Sequence, residues 1–403
     1  TAQTTISLAD VQQLAAKNFP LAPQQQLYEQ AKKISIEALN SQFLPQINVH
    51  SFATYQSDVT RLPVSLPDIT FTPPNNDQYR IYADIQQLLY DGKQVSLQKE
   101  LTGNQHALLL AQNKVQQHQL YGIINKLYLG ILVTQLQLQQ TNNYLRDLTL
   151  TLKTIQSKFE NGVSTKNNWL ILQAQAIQTE QKQTEILSAK NSLLQILSLY
   201  TGKQYDSTTQ LAEPLIGSLT TNNARPELQL FQLQENNQQL LSKISTSKLL
   251  PRVQAFAQTG YGNPALNMLM NQFTGYYTAG VKMQWSLAAF YNHKKEKKLQ
   301  QIEQSIINTN RQQFLLTTQT EITEQQSALQ KLLLLQQSDE QLISLRTQLK
   351  TNAETQLQAG TINANDYLKE LNALDAALLQ KQLHRIQYIQ TYLTINYLNG
   401  NHD

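Results

Sequence analysis

Apolar and polar residues alternate at every second position in four stretches of the chain. Ile47, Val49, Ser51, Ala53 and Tyr55 interleave with Gln46, Asn48, His50, Phe52 and Thr54, and Tyr79, Ile81, Ala83 and Ile85 interleave with Arg80, Tyr82, Asp84 and Gln86. Val253, Ala255, Ala257 and Tyr261 alternate with Arg252, Gln254 and Gln258, and Tyr277, Ala279, Val281, Met283 and Trp285 with Tyr276, Thr278, Lys282 and Gln284. A period of two is that of a strand with one apolar face. Strands are therefore predicted over about 46–56, 78–89, 252–261 and 273–286. Each has room for the ~9–11 residues that cross a bilayer when tilted. Tyr55, Tyr79, Tyr90, Tyr261, Trp285 and Phe290 near the strand ends suit an interfacial aromatic girdle. A soluble antiparallel sheet with one buried face has the same pattern. A single-chain barrel needs at least ~8 strands, so four strands beside long helices suggest a barrel shared between subunits.

Elsewhere the apolar spacing changes to three and four. Leu145, Leu148, Leu152, Ile155 and Phe159 form one such stripe; Leu371, Leu374, Leu378, Ile386, Ile389, Leu393 and Tyr397 form another, with Gln382 at the one polar step. This is the buried stripe of a helix packed on a partner. Proline, which breaks helices, is absent between Pro74 and Pro214 and after Pro264. Long helices are predicted over about 91–159 and 288–357, with return helices over about 167–200 and 365–398. The first would be about 100 Å long at ~1.5 Å per residue, far beyond a globular-domain helix.

Between each long helix and its return lies the same phrase, "KFENGVSTKNNWL" (158–170) and "QLQAGTINANDYL" (356–368). Gly162 and Gly360 sit where one helix stops and another begins, as glycine's tolerance of positive φ allows. Hairpin tips are thus expected at 160–166 and 358–364, with Ser164 or Thr165 capping one return helix and Asn363 or Thr361 the other. Trp169 matches Tyr367 and Leu170 matches Leu368. Gly202 and Gly400 follow the tips at one common offset, and Pro45 in "FLPQINVHSFATY" matches Pro251 in "LLPRVQAFAQTGY". Two tandem copies account for this, 1–203 and 225–403 joined by a linker over 204–224. The segments Arg61–Asp77 and Gly262–Gln272 between paired strands read as exposed hairpin loops opposite the helices.

Composition adds mainly exclusions. Only 15% of the residues are charged, and the net charge of +4 has no dominant basic block, so no nucleic-acid partner is expected. Gln, Asn, Ser and Thr fill the polar positions, and the regular Leu and Ile argue against a disordered Gln-rich tract. The absence of cysteine removes disulfide, thiolate-metal and cysteine-nucleophile chemistry, and with them the acceptor for an N-terminal lipid unless a processed end once held one. The start "TAQTTISLAD", without Met, suits a signal peptide already removed. No apolar run approaches the ~20 residues of a spanning helix, so a membrane could be crossed only by strands. The six histidines are scattered without an i, i+4 pair, and neither a GxSxG motif, a P-loop nor a dinucleotide fingerprint occurs. No metal, cofactor or catalysis is expected. "HKKEKK" (293–298) is either a solvated face or a contact for lipid phosphates. Gly122 and Gly130, inside the first long helix, signal close helix packing or drift.

Taken in order, short helix, strand, loop, strand, very long helix, glycine tip and return helix, twice over, the chain resembles the TolC family of outer-membrane efflux proteins along nearly its whole length. The duplicated tips, the "LP" before each first strand, "LLYDG" (88–92) and "ARPEL" (224–228) carry the likeness. It implies a mainly α fold with a β-barrel portion. A long antiparallel coiled-coil tube in the periplasm would join a twelve-stranded barrel shared by a homotrimer in the outer membrane, four membrane strands per chain. It implies an equatorial band from about 201–224 and the C-terminal residues, and no reaction. The duct would be passive, fed by an inner-membrane pump through a periplasmic adaptor protein, with outer-membrane lipids around the barrel. By the same resemblance the adaptor-contacting positions are Gly162, Val163, Ser164 and Thr165 in one tip and Gly360, Thr361, Ile362 and Asn363 in the other. Asp366 matches an acidic pore constriction, while Lys369 stands where the family has a second acidic position. Asn168, Leu357 and Ile362 replace polar partners that lock closed tips in relatives, so fewer ion pairs are expected there. Two rival readings stay open: an outer-membrane duct for type I protein secretion, and a soluble coiled-coil scaffold whose strands are small capping sheets. A need for detergent separates the second from the first.

Overall fold

The computed structural model describes residues 5–61, 72–219 and 223–401, so most of the proline-rich loop expected at 61–77 and three positions of the expected linker lie outside the described residues. In chain order the elements are α1 (Leu8–Asn18), α2 (Gln24–Asn40), β1 (Gln46–Tyr55), β2 (Asp77–Tyr90), α3 (Gln94–Glu160), α4 (Lys166–Thr201), α5 (Pro226–Ser247), β3 (Arg252–Asn263), β4 (Thr274–Gln284), α6 (Ala289–Ala359) and α7 (Ala364–Leu398). α3 has 67 residues and α6 has 71, each on the order of 100 Å long. Among the described residues no helix is apolar enough over its length to cross a membrane.

The chain forms two compact units, and each draws on both halves of the sequence. One comprises 1–25, 111–229 and 311–403; the other comprises 26–110 and 230–310. Helix pairs and strands from the two halves meet, so the structural partition does not follow the expected boundary between 1–203 and 225–403.

In the first unit α3, α4 and α7 bury their stripes together. Leu120, Ile124, Tyr128 and Ile131 of α3 meet Leu194 and Leu197 of α4 and Ile386 and Ile389 of α7. Full burial of each such side chain stabilises by about 1.5–3 kcal/mol. The segment after α4 is tied to this core. Leu211 bridges to Ile6, the Tyr128 hydroxyl lies 2.7 and 2.6 Å from the carbonyls of Ile6 and Ala212, and Lys190 Nζ donates to the Ser207 carbonyl at 2.9 Å. The end of α7 is fixed in turn: Ala224 N donates to Asn399 O at 2.7 Å, and the Arg225 guanidinium covers the rings of Phe314 and Tyr397 while pairing with Glu227. Gly122 faces this cluster, where a Cβ would come 3.1 Å from the Tyr397 ring. Close packing thus accounts for Gly122. Gln382, the expected polar step of the α7 stripe, is half-buried, and the buried polar residues of α7 include His384, whose Nδ1 lies 2.7 Å from Asp339 Oδ2 of α6.

In the second unit the strands form one antiparallel sheet in the order β1-β2-β3-β4. Its register pairs Ile47 with Ile85, Ile81 with Tyr261 and Ala257 with Ala279, with an irregularity at Leu88 and Tyr90. Of the "HKKEKK" run, His293 and Glu296 turn toward α5, where Ser245 Oγ donates to Glu296 at 2.7 Å, and the four lysines are exposed.

Candidate functional site

Both tips close with one hydrogen-bond pattern. After α3, Gly162 N donates to Phe159 O at 2.9 Å and Val163 N to Lys158 O at 2.7 Å; after α6, Gly360 N donates to Leu357 O at 3.1 Å and Thr361 N to Gln356 O at 3.0 Å. This is the Schellman ending, with glycine in the left-handed region, at φ 75° for Gly162 and 76° for Gly360. A Cβ at either glycine would meet nothing within 4 Å. Backbone conformation, not space, requires glycine there.

The caps differ. Thr165, one of the two candidates, accepts from Asn168 N at 3.3 Å. At the second tip Asn363 accepts from Asp366 N at 3.1 Å, and Asp366 accepts from Asn363 N at 3.4 Å, completing a capping box. Asp366 is exposed and holds the start of α7, as does its neighbour in the box.

Behind the tips lies a second core. Leu148, Ile155, Leu172, Leu357, Tyr367 and Leu371 belong to it, and Ile362, Trp169 and Leu152 pack against it. Trp169 stacks on Phe159 at 6.1 Å. Tyr367 is fully buried with its hydroxyl 3.1 Å from Thr151 Oγ1, and burial pushes that hydroxyl's pKa up. Polar contacts cross between the tips. Ala364 N donates to Asn168 Oδ1 at 3.0 Å, and Lys158 Nζ donates to the Gln358 carbonyl. Ion pairs join the same helices despite the substituted partners: Lys350 with Asp147 at 3.6 Å and Arg346 with Glu370 at 3.3 Å. Burial lowers the Lys350 pKa, but the Glu354 hydrogen bond and the surrounding negative groups outweigh it and leave the ammonium raised. Of the expected contact positions, Gly162, Val163, Thr165, Gly360, Thr361 and Asn363 are exposed, whereas Ser164 and Ile362 are half-buried.

The sheet presents two chemically different faces. Directly opposed residues share a face, so the register places Ile47, Val49, Ile81, Ile85, Val281 and Met283 on one side. No charged residue lies on that side between the strand ends; Asp77, opposite Tyr55, stands at the loop end. Ile47, Val49, Val281 and Met283 are 65–69% exposed, so nothing among the described residues covers them. Arg80, Asp84, Arg252 and Lys282 all fall on the other side with Gln46, Asn48 and Gln258.

Aromatic residues mark both ends of the apolar side. At the loop end stand Tyr55, Tyr79 and Tyr261, joined by Tyr277 and by Phe273, which stacks on Tyr79 and Tyr261 at 6.5 and 5.7 Å. At the helix end stand Tyr90, Trp285 and Phe290, the last two edge to face at 6.5 Å, with Trp285 Nε1 donating to Leu249 O at 2.9 Å. All six expected aromatics are exposed. Tyr277 and Trp285 are separated by roughly 27 Å of strand at ~3.4 Å per residue, close to the ~25 Å apolar band of outer-membrane barrels.

A two-faced sheet carried with very long helices that end in twin glycine tips is the fold of bacterial outer-membrane channels. The chain is similar to the outer membrane protein VceC from Vibrio cholerae at 15% identity, with 98% of this chain and 97% of that one covered and a TM-score of 0.71. It is similar to CusC at 12% identity over 98% and 92% of the two chains, TM-score 0.76. The open-state MtrE outer membrane channel of Neisseria gonorrhoeae matches at 10% identity over 98% and 89%, TM-score 0.66. No protein-family model and no curated protein matches the chain. The resemblance to the TolC family read from the sequence therefore holds at the level of the fold, across the whole chain.

Proposed function

We propose that the chain is a TolC-type outer-membrane exit duct, in which three copies close their sheets into one twelve-stranded barrel and extend their helices into the periplasm. Substrates would pass from an inner-membrane pump, through a periplasmic adaptor that meets the tips, to the exterior without any catalytic step. The observation that carries this reading is the uncovered apolar face of the sheet. A charge on the lipid side of a barrel costs about 2–4 kcal/mol near the midplane, and this face has none there. The outer edges of β1 and β4 have no partner strand within the sheet. Open edges are a liability that closure removes, and β4 of one copy beside β1 of the next continues the antiparallel order around the ring.

Within this reading the exposed tip residues are the adaptor contacts. Three Asp366 carboxylates around one axis would favour cations while each still caps its helix. The first test is detergent extraction followed by mass measurement and planar-bilayer recording. Trimers that form discrete conducting pores are expected; a monomer soluble without detergent that forms no pores would overturn the reading. In the same recordings Asp366→Asn should reduce cation preference, and unchanged selectivity removes Asp366 from the pore. Gly162 or Gly360 replaced by Trp should abolish pump coupling in cells while trimers still assemble, and intact export would refute the tip contact.

A further inference from the structure

The polar side of the sheet is not uniformly polar. His50, Phe52 and Tyr82 form a ring cluster there, with Phe52 and Tyr82 5.8 Å apart and 14° from parallel, and His50 5.1 Å from Tyr82. Glycines on the neighbouring strands let further rings lie across the sheet. At Gly260 a Cβ would come 3.0 Å from the Tyr276 ring, and at Gly280 3.0 Å from the Phe256 ring. Phe52 is 50% exposed, so one face of the stack is open to solvent. A half-exposed phenyl ring on this side forgoes part of the stabilisation its burial would bring.

Charge on this side is unbalanced. Arg80 lies directly opposite Phe52 in the register and next to Tyr82 on alternate positions of β2, while Arg252 and Lys282 add two cations at the far, helix end of this side. Asp84 is the one carboxylate among the strand residues of this side, and Gln86 donates to it. Arg80 spends one donor on the Pro264 carbonyl at 3.4 Å, which leaves the rest of its planar fork for an oxyanion.

We infer that this ring cluster with Arg80 is a binding subsite for small aromatic anions, whose ring lies against Phe52 and Tyr82 and whose carboxylate or sulfonate faces Arg80. The inference rests on the proposed duct, in which this side of the sheet lines the barrel, and it gives that lumen a preferred solute class. Stacking selects planar rings, and the Arg80 guanidinium selects their anions over neutral or cationic analogues of the same shape.

Planar-bilayer recording of the full-length trimer tests it with 1-naphthalenesulfonate as the probe, and with methanesulfonate and 1-naphthylmethylammonium as controls. The sulfonate should reduce the open-pore current reversibly, and the two controls should do so less. Phe52→Leu, which keeps an apolar side chain on a half-exposed strand position, should raise the half-blocking concentration about 2–10-fold, the worth of one aromatic pair. Arg80→Gln should raise it by a similar factor and erase the preference over the ammonium control. Pores that conduct but show no block, or a block unaltered in both variants, overturn the subsite while leaving the duct intact. Absence of pores overturns the duct, and the subsite with it.

Discussion

Gly162 and Gly360 end their helices at nearly equal φ with the same two closing hydrogen bonds, yet the residues that follow are held differently. Behind Gly360, Ala364 and Tyr367 are fully buried and Asn363 and Asp366 cap each other. Behind Gly162, Val163 is 74% exposed, Leu170 is 44% exposed, Trp169 is only partly buried and Thr165 caps alone. One backbone turn thus has two kinds of support. The second tip sends Ala364 and Tyr367 into the core behind both tips, while the first leaves apolar side chains available to whatever it meets. The two tips share the turn, whose left-handed residue is glycine in both, and differ in the side chains around it.

The largest effect that sharpens this contrast is expected from Tyr367→Ala. Removing a fully buried ring and its bond to Thr151 should cost about 3–5 kcal/mol, whereas Trp169→Ala, at a partly buried site, should cost less than half of that; denaturant unfolding of the detergent-solubilised protein measures both. Equal losses would erase the contrast. Gly162→Ala and Gly360→Ala should each cost about 1–2 kcal/mol, since the strain is that of the left-handed backbone alone. A clear inequality between these two would show that the turns are not alike. Asn363→Ala should cost about 1 kcal/mol by removing the side-chain arm of the box while the backbone donor to Asp366 stays, against roughly half that for Thr165→Ala, a difference that hydrogen exchange at the first turns of α7 and α4 resolves.

The smallest change is expected from Lys350→Gln, about 0.3 kcal/mol. Its sign with pH follows from the raised folded-state pKa. The stabilisation is fully present below the ordinary value of 10.5 and is lost as pH rises through the higher folded value. Wild type and variant should therefore converge in melting temperature only in strong alkali; convergence already at neutral pH would remove Lys350 from the support of the second tip.

The strands and long helices were legible because each is one sustained period, and a period needs no knowledge of partners. Alternation from Tyr277 to Met283 fixes which residues share a face, but it does not reveal that Phe273 stacks on Tyr79 and Tyr261, because that requires the register across β2, β3 and β4. Asn363 and Asp366 were both visible in the sequence, one as a cap and the other as an acidic pore position. Their three-residue spacing was the signal for the capping box that joins them. Ile362 reads as a tip residue because it lies between glycine and helix; its side chain packs back onto the tip core, a direction that sequence spacing does not encode. The buried His384 and Asp339 pair left no local trace, since its members stand on different helices.

The free margins of β1 and β4 have a consequence for the life of a single newly made chain. Alone in water it carries two unzipped ladders and a greasy panel, a template for aggregation. In the duct proposed above, membrane insertion and subunit recruitment would proceed together or under escort, and refolding yield in vitro should then depend steeply on when detergent is added.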